Sequence, residues 1–174
     1  MTLANCLTFL RFVATGPAVY FTVRGALPFG FGFFLLGFTT DLLDGYLART
    51  RREVTPMGKV LDPVADKLLF LGVFASFAVL GRISWEALAG YLVPQLGLGI
   101  GAAYLYLKRR EIRSAEIPGK AAAGATALAA IALYWSPWGE SFFWAAVGAN
   151  FLSGVYYLLK LLRANGGARE AEKR

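Results

Sequence analysis

The aspartates of this chain are four, Asp41, Asp44, Asp62 and Asp66, gathered in one stretch of an otherwise oily sequence. Asp41 and Asp44 are three positions apart and Asp62 and Asp66 four, so on helices each pair shares a face. Two helices with two carboxylates each would form a hard oxygen cage suited to Mg²⁺, Mn²⁺ or Ca²⁺. Two divalent ions held there would clamp a pyrophosphate or phosphoryl group during displacement. The chain has no histidine, which removes the usual general base, the Ser–His triad and most zinc sites. A carboxylate is then the base left to deprotonate an attacking hydroxyl. Asp66, one helical turn deeper than Asp62, is the candidate. Arg49, on or near the face of Asp41 and Asp44, is placed to neutralise phosphate charge, and Gly45, Ala48 and Gly58 keep the same stretch free of bulk. The competing explanation is structural ion pairing with Arg49, Arg51, Arg52 and Lys67. It leaves unexplained why every aspartate of the chain is collected here in two helical registers.

The segments that must carry these acids read as membrane spans. The chain has 174 residues, 57% of them hydrophobic and 17% charged, with a mean hydropathy of +0.52. That composition points to a membrane bundle rather than a water-soluble globule. Roughly 20 apolar residues cross a bilayer as a helix, and six such spans are expected, near 4–23, 28–49, 58–80, 86–107, 119–137 and 141–162. The fold expected is therefore an all-α, polytopic six-transmembrane-helix bundle forming a single domain over 1–174. No linker or low-complexity tract interrupts it, and the short charged run from Ala164 to Arg174 is its one tail. Met1 to Ala4 carries no basic region of a cleaved signal. The lone cysteine, Cys6, has no partner for a disulfide or a metal motif.

The net charge of +7 is distributed in a way that argues against nucleic acid. Lys and Arg cluster at 49–59, at 108–120 and from 160 to the C-terminus, all on one side if there are six spans. The positive-inside rule makes that side cytoplasmic, with both termini and the acidic motif facing it. Trp85, Trp135, Trp138 and Trp144 fall near the opposite boundary, as an interfacial aromatic belt would. In the first span, Asn5, Thr8 and Arg11 are spaced three apart on one face. Arg11 either snorkels to the headgroups or lines a polar cavity, and Pro17 is expected to kink the span. Gly30, Gly32 and Gly37 would permit close helix contact, as would the small residues AAAGATALAA of the fifth span and the Gly97/Gly101 pair. A small cation transporter with the aspartates as its translocation site fits less well, because the acids lie at one membrane face and not at the midplane.

The run Asp41-Leu-Leu-Asp44-Gly45-Tyr-Leu-Ala48-Arg49, then Gly58, Asp62 and Asp66 at their spacings, resembles the signature of the CDP-alcohol phosphatidyltransferases at every fixed position. The resemblance implies a six-helix membrane enzyme, usually homodimeric, in which an alcohol displaces CMP from a CDP-linked lipid. It implies that Asp41, Asp44, Asp62 and Asp66 coordinate two divalent ions, Mg²⁺ or Mn²⁺, with Asp66 also the base. It further implies that Asp44, Gly45, Ala48, Arg49 and Gly58 shape the nucleotide site, with Asn5 and Thr8 of the first span beside them. The continuation G-K-V-L-D-P-V-A-D-K is similar to the phosphatidylglycerophosphate synthases within that family. CDP-diacylglycerol and glycerol 3-phosphate are accordingly the expected substrates, in a prokaryotic inner membrane with the active site facing the cytoplasm. Phosphatidylglycerol, giving cardiolipin, and inositol phosphate are the other acceptors of the same chemistry. An acceptor phosphate needs cations, and Arg109, Arg110, Arg113 and Lys120 lie in the cytoplasmic loop suited to supply them. The same residues could serve instead to set topology and to contact anionic lipid.

Overall fold

A computed structural model of the chain describes residues 3–51, 58–109 and 116–172, with side chains described for residues 6–40, 64–97, 99 and 116–160. The described residues form helices α1 (Leu3–Val23), α2 (Leu27–Arg51), α3 (Gly58–Val79), α4 (Trp85–Arg109), α5 (Ile117–Trp135) and α6 (Gly139–Glu172). Each expected span coincides with one helix. The last differs, because α6 continues through the charged run expected to be a tail. α1 runs as helix through Pro17 and α4 through Pro94.

Among the described residues, three helices are long and apolar enough to cross a membrane, over Cys6–Val23, Ile117–Trp135 and Gly139–Lys160. Over the described side chains the apolar part of α2 is Leu27–Thr40. Trp85, Trp135, Trp138 and Trp144 are all exposed.

Two compact units make up the chain, one of Met1–Ile83 with Tyr134–Ser136, the other of Ser84–Leu133 with Pro137–Arg174. In the first, α1 packs against both α2 and α3. Its inner stripe, Thr8, Arg11, Ala14, Ala18 and Thr22, follows the three- and four-residue helical spacing and is buried throughout. Small residues let the backbones approach. A Cβ at Gly30 would collide with Thr22 Oγ1 and lie 3.1 Å from the Thr22 backbone nitrogen, and one at Gly72 would lie 2.7 Å from Val19 Cγ2. Gly32, by contrast, has nothing within 4 Å, so of these glycines it is the one not needed for packing. The hydroxyls buried along α1 are satisfied locally, Thr22 donating to the Ala18 carbonyl at 2.7 Å and pairing with Tyr134 Oη at 2.8 Å. Tyr134 also meets the Phe77 ring edge-on at 4.9 Å, in an aromatic core with Phe34, Phe70 and Phe74.

α1 and α3 end alike. Gly25 and Gly81 adopt φ of 75° and 69°, a left-handed conformation that costs glycine little. The following amides reach back, Ala26 to the Phe21 carbonyl and Arg82 to the Phe77 carbonyl, both at 2.9 Å. This is the Schellman stop that satisfies a helix's last carbonyls.

In the second unit, Ser84 caps α4 by accepting the Ala87 amide at 3.3 Å, and its own amide donates to Glu140 Oε1 at 3.3 Å. α4 packs on α6, where Gly90 faces Val147 and Gly154 faces Pro94. A polar bridge joins three helices: Gln95 Nε2 donates to Asn150 Oδ1, and Asn150 Nδ2 donates to Thr126 Oγ1, both at 2.9 Å. Such bonds fix helix register in an apolar surrounding more than they add stability.

Gly30 provides the sharpest test of the packing. Gly30→Val pushes a side chain against Thr22 backbone and should cost about 1–3 kcal/mol, whereas Gly32→Ala should leave stability unchanged or raise it slightly. Thermal melts of both variants in the same detergent check the contrast.

Candidate active site

The helices that carry the acids meet at Gly37. A Cβ there would lie 2.9 Å from Leu69 Cδ2 of α3 and 3.7 Å from Arg11 Cγ of α1. Position 37 therefore sets one level at which α1, α2 and α3 come together. Nearby contacts give the directions: Thr22 lies against Gly30, so α1 and α2 are antiparallel, while Thr15 and Val19 lie against Gly72, so α1 and α3 run the same way.

From the level of Arg11, Gly37 and Leu69, one helical turn toward the start of α1 reaches Thr8 on α1, Thr40 and Asp41 on α2, and Ala65 and Asp66 on α3. A further turn reaches Asn5, Asp44 and Asp62. The backbone thus brings the two acid-bearing turns and the polar face of α1 to one end of the unit. Around them the described side chains are tightly enclosed: Thr8 and Thr40 are each 3% exposed and Ala65 is fully buried. The Thr40 hydroxyl donates to the Gly37 carbonyl at 2.6 Å, so its polarity is absorbed by its own helix. Asp66 is partly exposed.

Arg11 decides between the two expectations stated for it. Its side chain is fully buried, so it does not snorkel outward but lies inside the unit, beneath the level of Asp41 and Asp66. Its position three residues after Thr8 was the available sign. Thr40, buried beside the first aspartate, had no comparable signal, since a threonine before an acidic motif is unremarkable in sequence.

The other expected site residues divide by what is described. Asn5, Asp41, Asp44, Gly45, Ala48, Arg49, Gly58, Asp62 and Arg109 have helical backbone, and their side chains lie outside the described residues. Arg110 and Arg113 lie outside them altogether. Lys120 is exposed in the first turn of α5. α2 is continuous across Asp41 and Asp44, and α3 across Asp62 and Asp66. The i, i+3 and i, i+4 registers therefore hold, and a paired set of hard oxygen donors on two adjoining helices suits divalent ions.

Comparison with known proteins agrees with this arrangement. The model of the CDP-alcohol phosphatidyltransferase family matches residues 1–152. A Mycobacterium tuberculosis protein named probable phosphatidylglycerophosphate synthase is 30% identical, over 97% of this chain and 85% of its own length. A Mycoplasma genitalium protein named CDP-diacylglycerol–glycerol-3-phosphate 3-phosphatidyltransferase is 35% identical over 53% of this chain, a match that spans only 39% of that relative. A rice protein named cardiolipin synthase (CMP-forming) is 58% identical over 38 residues, 22% of this chain and 12% of its own. A helical membrane enzyme with its acids at one end of a three-helix unit is the class these features define. The chain belongs to the CDP-alcohol phosphatidyltransferase family.

The burial of Arg11 makes a direct prediction. Arg11→Ala should destabilise the protein by about 3 kcal/mol, while Arg24→Ala, at the opposite turn, should stay within about 0.5 kcal/mol. Equal melting temperatures for the two variants would place Arg11 outside the packed interior.

Proposed function

We propose that this chain transfers a phosphatidyl group from CDP-diacylglycerol to glycerol 3-phosphate, releasing CMP and forming phosphatidylglycerophosphate. The observation that carries the reading is the meeting of α1, α2 and α3 at Gly37, because it brings the helical turns of Asp41 and Asp66 to one level. Asp41, Asp44, Asp62 and Asp66 would hold two divalent ions, Mg²⁺ or Mn²⁺, which when bound neutralise the pyrophosphate and the departing CMP. Asp66 takes the proton of the acceptor hydroxyl. The hydroxyl oxygen then bonds to the lipid-side phosphorus while the bond from that phosphorus to the CMP oxygen breaks, and CMP leaves with the electron pair. Asn5, Thr8, Asp44, Gly45, Ala48, Arg49 and Gly58 form the nucleotide site, with Arg49 adding positive charge where the phosphates gather. Arg109, Arg110, Arg113 and Lys120 supply cations for the acceptor's phosphate.

The acceptor preference rests on the relatives. The mycobacterial protein named for phosphatidylglycerophosphate synthesis aligns over nearly the whole chain. The protein named cardiolipin synthase aligns over 38 residues, too short a stretch to carry a preference for phosphatidylglycerol. The whole of 1–174 acts as one catalytic domain, all six helices crossing the membrane with both termini cytoplasmic. The enzyme works as a homodimer in a prokaryotic inner membrane and draws its lipid substrate laterally.

The test is CMP release from CDP-diacylglycerol by purified protein offered glycerol 3-phosphate, phosphatidylglycerol, inositol phosphate or serine in turn. Glycerol 3-phosphate should give the fastest release, and chelation of divalent ions should stop it. Asp66→Asn should lower kcat by at least ~10²-fold while CDP-diacylglycerol still binds. Near-normal turnover by that variant would remove Asp66 as the base, and faster release with another acceptor would reassign the substrate.

A further inference from the structure

The start of α5 is tied to α6 through a single acidic residue. Glu116, immediately before α5, accepts the Tyr156 hydroxyl on Oε2 at 2.8 Å and pairs through Oε1 with Lys160 Nζ. Its backbone amide donates to Tyr157 Oη at 2.8 Å. Thus both carboxylate oxygens and the main chain of one residue are engaged by three side chains from about one turn of α6. The two tyrosine rings brace one another edge-on at 5.5 Å.

The energetics point to placement rather than to stability. The Lys160 and Glu116 side chains are 42% and 38% exposed, and ion pairs so open to their surroundings contribute little to stability. Three partners on one turn of α6 nevertheless engage Glu116 at once. The next turn of α5 follows directly, since the Lys120 amide bonds to the Glu116 carbonyl at 3.1 Å. Lys120 is the exposed cation of that turn. The chemistry also favours keeping this carboxylate engaged. Glu116 lies in a stretch that holds Lys108, Arg109, Arg110, Arg113 and Lys120, and a loose carboxylate there would compete with an anionic substrate for the same cations.

We propose that Glu116, held by Tyr156, Tyr157 and Lys160, is a positioning residue that fixes the first turn of α5 and so presents Lys120 to the anionic group of the acceptor. The inference rests on the acceptor reading given above and adds the element that orients it. Nothing in it requires Glu116 to touch substrate.

Steady-state kinetics of the full-length protein separate these roles, with glycerol 3-phosphate varied at saturating CDP-diacylglycerol and then the reverse. Glu116→Ala should raise the KM for glycerol 3-phosphate roughly ten-fold, with kcat and the KM for CDP-diacylglycerol within about two-fold of wild type. Tyr156→Phe, which removes one hydroxyl and is the milder change, should raise the same KM by about two- to four-fold. Lys120→Ala serves as the direct contact. If Lys120→Ala raises the acceptor KM and neither Glu116→Ala nor Tyr156→Phe does, the positioning role is overturned and the acceptor site stands. A Glu116→Ala protein that loses kcat and raises both KM values together with a lowered melting temperature also overturns it, in favour of general support of the fold. No turnover of glycerol 3-phosphate by the wild type overturns the acceptor reading, and the positioning role falls with it.

Discussion

Close approach of three backbones at Gly37 is the constraint on which the arrangement of the first unit depends. Leu69 of α3 and the stem of Arg11 of α1 occupy the volume that a larger residue would claim. Without that approach α2 and α3 would stand farther apart, and the acidic turns beyond them would lose their common level. Membrane helices lack the hydrophobic drive that brings helices together in water, so small residues and complementary surfaces must do it instead. Gly30 against Thr22 and Gly72 against Val19 repeat the device at other levels of the same unit. Packing and chemistry are therefore set by one set of contacts, read at successive turns of α1.

Arg11 gives that packing an electrostatic side. A guanidinium with no exposed surface is costly in an interior of low dielectric unless its surroundings compensate it. Its level lies one turn from that of Asp41 and Asp66, so a permanent positive charge underlies the acid-bearing end of the unit. The stripe above it is neutral and absorbs its own polarity, with Thr15 bonded to the Arg11 carbonyl at 2.8 Å and Thr22 to that of Ala18. α1 is thus graded in charge, from neutral residues with bonded hydroxyls toward its end to Arg11 nearer its start. That gradient matches the separation between support and chemistry in the whole unit.

Much of this was legible in sequence because two signals were strong. Apolar runs located the six helices, three of which are long and apolar enough to span a membrane among the described residues, and the spacing of four aspartates pointed to α2 and α3. The family resemblance rested on the same residues. What sequence left open were questions of depth and continuity. Whether Arg11 pointed inward depended on the neighbours that three helices bring to it, which periodicity on one helix cannot supply. Which glycines are contact points was equally open: Gly30 and Gly37 are tightly met and Gly32 and Gly97 are not, though all four look alike as small residues in an oily run. Gln95, Thr126 and Asn150 are far apart in the chain, and only helix packing reveals that they bond to one another. The charged C-terminal run read as a tail because it lacks apolar periodicity, yet helical hydrogen bonding does not need an apolar face to continue.

That continuation has a consequence of length. Over the described side chains the apolar part of α6 is Gly139–Lys160, and the helix runs on to Glu172, about 18 Å past Lys160 at the helical rise. A bilayer's hydrocarbon core is about 30 Å thick, which the apolar part alone is long enough to cross. The continuation is a further length of helix, and its sequence holds Arg163 and Arg169. Anionic lipid attracts such basic residues over roughly a Debye length. For a membrane enzyme of this family, such a basic continuation would gather negatively charged lipid at its own end of the helix.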